Sequence, residues 1–220
     1  DDGFLPFYYG KNLNKGIFVE VMNEFALEAG INTHFRPMAR KRLVWALEHG
    51  LANAVFANLL WMPAPEQMHA VGPVFTWRDR VFAQPGQQST SFDDLKGRIC
   101  LRKWFVYSDQ LERRIGTDLE RLDAYNAQHM LRMFLLERCD FIVMNEVQFQ
   151  FLALHGNFDA TTYTTDLVDA EWPVYLGILK NEAALIEAAE AFFATHRIDV
   201  RAMLPTLPPP DGSISNQSEK

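Results

Sequence analysis

The sequence predicts an α/β fold in two lobes, and three observations lead to this prediction. Helical periodicity alternates with short apolar runs over the first third of the chain, and the same order returns after residue 97. The polar stretch QPGQQSTS at 84–91 separates the two sets and offers no core-forming residues. A helix rich in alanine and glutamate, NEAALIEAAEAFFATHR, follows an extended segment near the C-terminus, and we expect it to return to the first lobe.

Composition excludes several classes of function. The chain has 220 residues, 48% of them hydrophobic, which is enough for a full core. Its formal charge of -7 argues against nucleic acid, with the short basic run 36–42 as the local exception. No apolar stretch reaches the roughly 20 residues of a membrane span. We therefore expect a monomer that inserts in no membrane and needs no cofactor, and whose leader peptide has been removed.

In the first lobe, GIFVEVMNEFALEAG at 16–30 predicts a helix that ends at Gly30. A short extended piece, INTHFRP, comes next, and a second helix is predicted from about Ala39 to His49. The run ANAVFANLL is short, apolar and without helical period, which predicts a fully buried parallel strand.

In the second lobe the predicted order is strand, helix, strand, helix, strand. The segments are RICLRKW, SDQLERRIG, LERLDAYN, AQHMLRMFLLER and DFIVMNE. Beyond Asp159 we expect a loop until the strand-like WPVYLGILK. The predicted first lobe is thus 1–79 with 181–205, the second lobe is 80–180, and 206–220 is a flexible tail rich in proline, glycine and serine.

The cysteine and histidine patterns indicate neither a metal site nor a redox motif. Cys100 and Cys139 lack CxxC spacing, so they are either buried free thiols, the commoner state beside strands, or one disulfide in an oxidising compartment. The six histidines show no HxxxH or HxH spacing, and no metal site is predicted.

Five segments, taken in order, resemble the extracellular solute-binding proteins of family 3, which have the type II periplasmic binding fold, or Venus flytrap. They are FLPF at 4–7, GIFVEVMNEFALEAGI, LVWALEHGLANAVFA, SFDDLKGRICL and LRMFLLERCDFIVMNE. The resemblance covers roughly Phe4 to Arg197. It implies two lobes joined by crossing strands, here near Arg80–Gln84 and Tyr175–Lys180, that close on a small molecule. It further implies a periplasmic protein for ABC-type uptake or for signalling, with a membrane permease or receptor as partner.

The ligand motif departs from the family at two places. Gln67 stands where amino acid binders of the family carry the arginine that holds the ligand carboxylate. Asn145 stands where they carry the aspartate that holds the ammonium group. Neutral amides cannot make the charge-assisted bonds that a zwitterion needs, so an ordinary α-amino acid ligand is not expected.

Other residues offer substitutes at positions that the resemblance places at the cleft. Arg40 and Arg102 are candidates to clamp a carboxylate, and solvated surface roles are the alternative for both. Phe4, Trp61, Phe105 and Tyr107 are candidate ring contacts, with core packing as the alternative, and Trp104-Phe105 replaces the small pair that is usual in the family. These residues together suggest an aromatic ligand with one acidic group.

The remaining candidates are polar. Asn58 ends the first-lobe strand and suits a neutral polar group. Asn145 is a candidate contact, and Glu146 is the one carboxylate expected near the cleft, although capping the following helix is its simpler role. A cyclic-acid dehydratase on this fold is an alternative function, and so is a sensor domain. The sequence contains no GxSxG, HExxH, P-loop or GxGxxG, so we expect no catalysis.

Overall fold

The computed structural model describes residues 4–10, 14–36, 38 and 40–210, with the backbone alone at Arg40. These residues form two units. The first unit holds the described residues up to Trp77 and those from Trp172 onward, and the second holds Arg78–Glu171. The chain passes between the units within two strands of 16 residues each, β2 (Met68–Ala83) and β6 (Thr164–Leu179). Both changes of unit come earlier in the chain than the sequence predicts.

The first unit contains helices at both ends of the chain. They are α1 (Ile17–Ala29), α2 (Arg40–Glu48), α6 (Ala183–Thr195) and α7 (Val200–Met203). Its strand β1 (Ala54–Ala57) pairs antiparallel with the second half of β6, from Tyr175 to Ile178. The fully buried parallel strand predicted here is wrong, because the partner strand runs back toward the first unit and β1 has only intermediate burial.

Helix α1 begins where main-chain carbonyls meet its free N–H groups. Ile17 N–H donates to the Pro6 carbonyl at 3.0 Å, and Phe18 N–H donates to the Phe7 carbonyl at 3.0 Å. Gly16 permits this approach, since a Cβ there would lie 2.6 Å from both carbonyl oxygens. The helix ends at Gly30 in the left-handed conformation, as the sequence predicts.

Residues 31–36, predicted as a short extended piece, belong to no regular strand, and their side chains are exposed or half-buried. One segment of the first unit differs from the prediction. The flexible tail was predicted from residue 206, yet Leu207 is 2% exposed and the Pro208 carbonyl accepts a hydrogen bond from the Tyr9 hydroxyl. The start of the predicted tail is therefore packed at Leu207 and Pro210, which are buried. The rest of the predicted tail, from residue 211, lies outside the described residues.

The second unit follows the predicted order of strands and helices. Its elements are β3 (Gly97–Arg102), α3 (Asp109–Glu112), β4 (Leu119–Ala124), α4 (Ala127–Leu135), β5 (Phe141–Asn145) and α5 (Glu146–Gly156). Strands β3, β4 and β5 are parallel, and β2 pairs antiparallel with β5. Apolar side chains from these strands form its core, among them Val81, Ile99, Leu101, Phe141 and Val143.

Strand β6 begins much earlier than predicted. The loop expected after Asp159 gives way to a strand at Thr164, and alternate residues of it are buried, namely Thr165, Leu167 and Asp169. Two of these three residues are polar, so the alternation of buried and exposed positions does not appear as an alternation of apolar and polar residues in the sequence. Thr165 Oγ1 donates to the Val81 carbonyl at 2.6 Å, so the buried hydroxyl has its partner.

Cys100 and Cys139 form a disulfide, with Cα atoms 5.8 Å apart. Both residues are fully buried in the second unit. The sequence left two alternatives open and favoured free thiols; the structure selects the disulfide. Within the described residues, no helix has both the length and the apolar character required to cross a bilayer.

Candidate ligand-binding site

The second unit brings the carboxyl ends of its parallel strands to one edge. Strand β3 ends at Arg102, β4 ends at Ala124 and β5 ends at Asn145. In open α/β sheets, ligands bind outside this edge, where loops and helix N-termini converge. Five predicted site residues lie at these strand ends or just after them, namely Arg102, Phe105, Tyr107, Asn145 and Glu146.

Arg102 carries the clearest unmatched charge at this edge. Its guanidinium carbon lies 4.5 Å from the centre of the Phe105 ring. Its Nε is buried and has no hydrogen-bond partner, and among the described residues Arg102 forms no ion pair. Burial lowers the pKa of this guanidinium, opposed by the neighbouring Tyr107. A half-buried cation in this state is suited to receive an anionic group.

Tyr107 holds the loop that carries these residues. Its hydroxyl oxygen accepts a hydrogen bond from the Arg102 N–H at 2.7 Å, and its ring packs against the core of the second unit. Burial raises the pKa of this hydroxyl well above its ordinary value. Tyr107 therefore supports the main chain at Arg102, and its predicted ring contact with a ligand stays a prediction.

The same loop exposes aromatic rings. Trp104 has a positive φ of 65°, and its side chain is 81% exposed. Its ring meets the edge of Tyr125 at 6.3 Å, and the Lys103 ammonium lies 4.9 Å from the Trp104 ring centre. Phe105 is 45% exposed. The loop thus offers open ring faces beside two cations, Arg102 and Lys103.

Asn145 has its side chain engaged within the protein. Its oxygen accepts from the N–H groups of Val147 and Gln148 at 3.1 and 3.2 Å, which caps helix α5. Its amide nitrogen donates to the Arg78 carbonyl at 3.2 Å, and the residue is only 3% exposed. Asn145, predicted as a ligand contact, has a structural role in these contacts.

Glu146 lies between two arginines. Its carboxylate is 3.7 Å from Arg78 Nη1 and 3.4 Å from Arg80 Nη2. Arg80 also donates to the Thr165 carbonyl at 2.7 Å, and Arg78 donates from Nε to Glu171 at 2.7 Å. Arg78 and Arg80 were not predicted as neighbours of Glu146. The signal was available, because they alternate with Asp79 on a strand and so project to one face.

The first unit gathers aromatic residues from several segments. Trp77 lies 5.3 Å from Phe4 and stacks on Trp172 at 6.0 Å with an interplanar angle of 8°. Trp61 meets Trp172 at 4.6 Å in an edge-on arrangement and remains 46% exposed. Phe4 and Trp61 were predicted as ring contacts, whereas Trp77 and Trp172 were missed because each lies inside a strand-like run. We call Phe4, Trp61, Trp77 and Trp172 the tryptophan cluster.

Two further predicted residues belong to the first unit. Asn58 is 7% exposed, and its side-chain oxygen accepts from the Leu60 N–H at 3.1 Å, which caps a short 3-10 turn. Arg40 begins helix α2, and its side chain lies outside the described residues. Contact of either side chain with a ligand stays a prediction.

No protein-family model and no curated protein matches this sequence. Solved structures do match over almost the whole chain. The second substrate-binding domain of GlnP from Lactococcus lactis, in an open conformation, aligns with a TM-score of 0.65 and 15% identity, covering 96% of this chain and 94% of that one. A histidine kinase sensor domain with similarity to periplasmic binding proteins aligns with a TM-score of 0.63 and 18% identity, covering 96% and 95%.

A third structure broadens the range of functions seen on this fold. The ancestral amino acid-binding protein AncCDT-1, a precursor of cyclohexadienyl dehydratase, aligns with a TM-score of 0.62 and 16% identity, covering 94% of this chain and 91% of that chain. At these identities the likeness concerns the fold. The predicted α/β periplasmic binding fold is confirmed, and proteins with this fold that resemble the chain are mostly ligand-binding proteins.

Proposed function

We propose that this chain binds a small molecule carrying a ring and a carboxylate, and that Arg102 receives the carboxylate. The observation that supports this most is the half-buried Arg102 guanidinium, which lies against Phe105 and pairs with no carboxylate among the described residues. An arginine fork matches a carboxylate in two parallel hydrogen bonds. Desolvation at this edge strengthens such a bond relative to water.

Exposed rings favour a ligand with an aromatic or other flat portion. In the second unit these rings belong to Trp104 and Phe105, and in the first unit to Trp61, the exposed member of the tryptophan cluster. Aromatic pairs contribute about 0.5–1.5 kcal/mol beyond their buried area. We propose that the ring of the ligand contacts Trp104 and Phe105 of the second unit. Contacts with Phe4, Trp61, Arg40 and Asn58 stay predictions from the sequence.

An ordinary α-amino acid fits this chain less well. The ammonium group of such a ligand needs an unmatched carboxylate, and Glu146 is already paired with Arg78 and Arg80. Asn145 caps helix α5 in place of offering a charge. These contacts favour a ligand without an ammonium group.

The same contacts favour binding over catalysis. Glu146 was the one acid or base expected near the cleft, and its engagement in two ion pairs leaves it poorly suited to proton transfer. We propose a periplasmic role in ABC-type uptake or signalling, with a permease or receptor as partner. The Cys100–Cys139 disulfide supports an oxidising compartment.

A thermal-shift screen tests the ligand class. Aromatic and cyclic carboxylates are compared with their primary amides and with common L-amino acids. A bound carboxylate at 100 times its dissociation constant adds about 2.7 kcal/mol to the free energy of unfolding. We expect the aromatic or cyclic carboxylates to raise the melting temperature, and the primary amides and common L-amino acids to leave it unchanged. A strong shift from an ordinary amino acid, or equal shifts from acid and amide, contradicts the proposal.

Arg102 is tested with the best carboxylate from that screen. Arg102→Ala is expected to weaken binding at least tenfold, about 1.4 kcal/mol, in isothermal titration. Arg102→Lys restores only part of the affinity, because an ammonium cannot form the two parallel bonds. Arg132→Ala removes an exposed arginine from helix α4 and serves as the control with unchanged affinity. Equal affinity in Arg102→Ala and the wild type removes Arg102 from the site.

A further inference from the structure

A histidine and two glutamates meet in the first unit, away from the residues discussed above. His196 follows helix α6, and Glu24 and Glu28 lie on helix α1. His196 Nε2 is 3.1 Å from a Glu28 carboxylate oxygen and 4.0 Å from a Glu24 carboxylate oxygen. One ligand atom from each residue fits within 4.8 Å of the others. The three side chains are 35%, 59% and 50% exposed for His196, Glu24 and Glu28, so the group is reachable from solvent.

Helix packing fixes the spacing of this group. Glu24 and Glu28 are four residues apart and therefore lie on the same face of α1. The buried Phe25 contacts the buried Phe192 of α6, with ring centres 5.4 Å apart. The His196 ring stacks on Phe192 at 4.2 Å with an interplanar angle of 6°. The imidazole is thus positioned by the core contact that joins the two helices.

The second ring nitrogen of His196 has its own partners. Nδ1 lies 3.0 Å from both the Phe192 carbonyl oxygen and the Thr195 hydroxyl oxygen. In the tautomer that a metal ion would select, the proton is on Nδ1 and is donated to the Phe192 carbonyl, and the lone pair of Nε2 faces the glutamates. Histidines that bind metals almost always donate their other ring N–H to a carbonyl or carboxylate, because this bond fixes the tautomer and the ring orientation.

We propose that Glu24, Glu28 and His196 bind a divalent transition-metal ion of the zinc type. One imidazole nitrogen and two carboxylate oxygens are ligands that zinc accepts, with a fourth position left for water. In a tetrahedral site with metal–ligand distances of about 2.0–2.1 Å, neighbouring ligand atoms lie about 3.3 Å apart. The observed distances of 3.1 and 4.0 Å from His196 Nε2 to the two carboxylates approach this spacing, and all three ligand atoms lie within 4.8 Å of one another. Calcium and magnesium prefer sets of six or more oxygens, which this group does not offer.

The charges at this place support the same conclusion. Two carboxylates four residues apart on a helix repel each other. A divalent cation neutralises both, whereas a protonated imidazole neutralises one. This inference concerns the first unit alone and does not depend on the proposed carboxylate ligand of Arg102.

Isothermal titration of the full chain with zinc chloride tests the site. The protein carries no histidine tag and is treated with a chelator and dialysed beforehand. We expect one zinc per chain, and weaker binding by about tenfold or more in each of the variants His196→Ala and Glu28→Gln. Calcium and magnesium at the same concentration should give no comparable heat. Circular dichroism spectra and melting curves of the variants verify that they fold.

His69 provides a matched control within the same unit. His69 Nε2 also pairs with a glutamate, Glu190, at 2.7 Å, but this pair has one carboxylate in place of two. His69→Ala should keep the zinc affinity of the wild type. Nitrogen NMR should show the Nε2 resonance of His196 moving on zinc addition. Absence of zinc binding in the wild type, or its loss in His69→Ala in place of His196→Ala, overturns the proposal.

Discussion

Single residues at the predicted site fall into two groups according to their partners. Asn145 and Asn58 cap helical turns with their side-chain oxygens, and Glu146 is held in ion pairs. Arg102, in contrast, has charge and a buried Nε without a matching carboxylate among the described residues. Arg102 is therefore the predicted residue most suited to bind a ligand. The sequence alone does not show which of these side chains already have partners within the protein.

Asp169 gives a pH-dependent prediction at the residue scale. This buried carboxylate accepts from the Ser108 hydroxyl at 2.6 Å, and burial raises its pKa above the ordinary value of 3.8, opposed by the Ser108 bonds. The folded state therefore holds the proton more tightly than the unfolded state. The resulting stability is fully present below about pH 3.8 and is lost as the pH rises through the raised pKa.

The variant Asp169→Asn should remove this contribution, because asparagine keeps an oxygen acceptor for Ser108 and carries no charge. The free energy of unfolding of the wild type should therefore fall relative to that of the variant between about pH 4 and pH 7. Urea unfolding across this range measures the difference. Asp166→Asn, on an exposed position of the same strand, is the control. If the free energies of unfolding of the wild type and Asp169→Asn differ by the same amount at every pH in this range, the prediction is refuted.

At the scale of elements, local periodicity predicts most helices and the strands of the second unit. Helices α1, α2 and α4 lie where their apolar spacing places them. The first half of β6 was missed because Thr165 and Asp169 occupy buried positions and find polar partners there. The disulfide was left open because pairing depends on the 5.8 Å between two Cα atoms that are 39 residues apart in sequence.

That disulfide closes a loop around β4 and α4, and its removal should cost stability. A crosslink between residues 39 apart stabilises by about 4 kcal/mol in the chain-entropy model. We expect the double variant Cys100→Ala, Cys139→Ala to lose up to about 4 kcal/mol in urea unfolding, with native secondary structure retained. A reducing agent should destabilise the wild type in the same way and leave the double variant unchanged. Equal stability of both proteins under oxidising conditions contradicts this prediction.

At the scale of the whole molecule, the order of segments predicted the fold, while the site was only partly predictable. The resemblance of five ordered segments led to the periplasmic binding fold, which the solved structures confirm. Trp77 and Trp172 were not predicted as site residues, since their proximity arises from two strands that are distant in sequence. The proximity of Glu24, Glu28 and His196 was not predicted for the same reason. Packing of helix α1 against helix α6 brings together residues from the two ends of the chain.

The second unit is one uninterrupted stretch, from Arg78 to Glu171, whereas the first unit is built from both sides of it. A chain that emerges with its N-terminus first therefore presents every residue of the second unit before the last helices of the first unit are available. The inserted unit can then fold while its host is still incomplete. The host must then keep Phe7, Ile17 and Phe25, which are fully buried in the finished protein, from aggregating until α6 arrives.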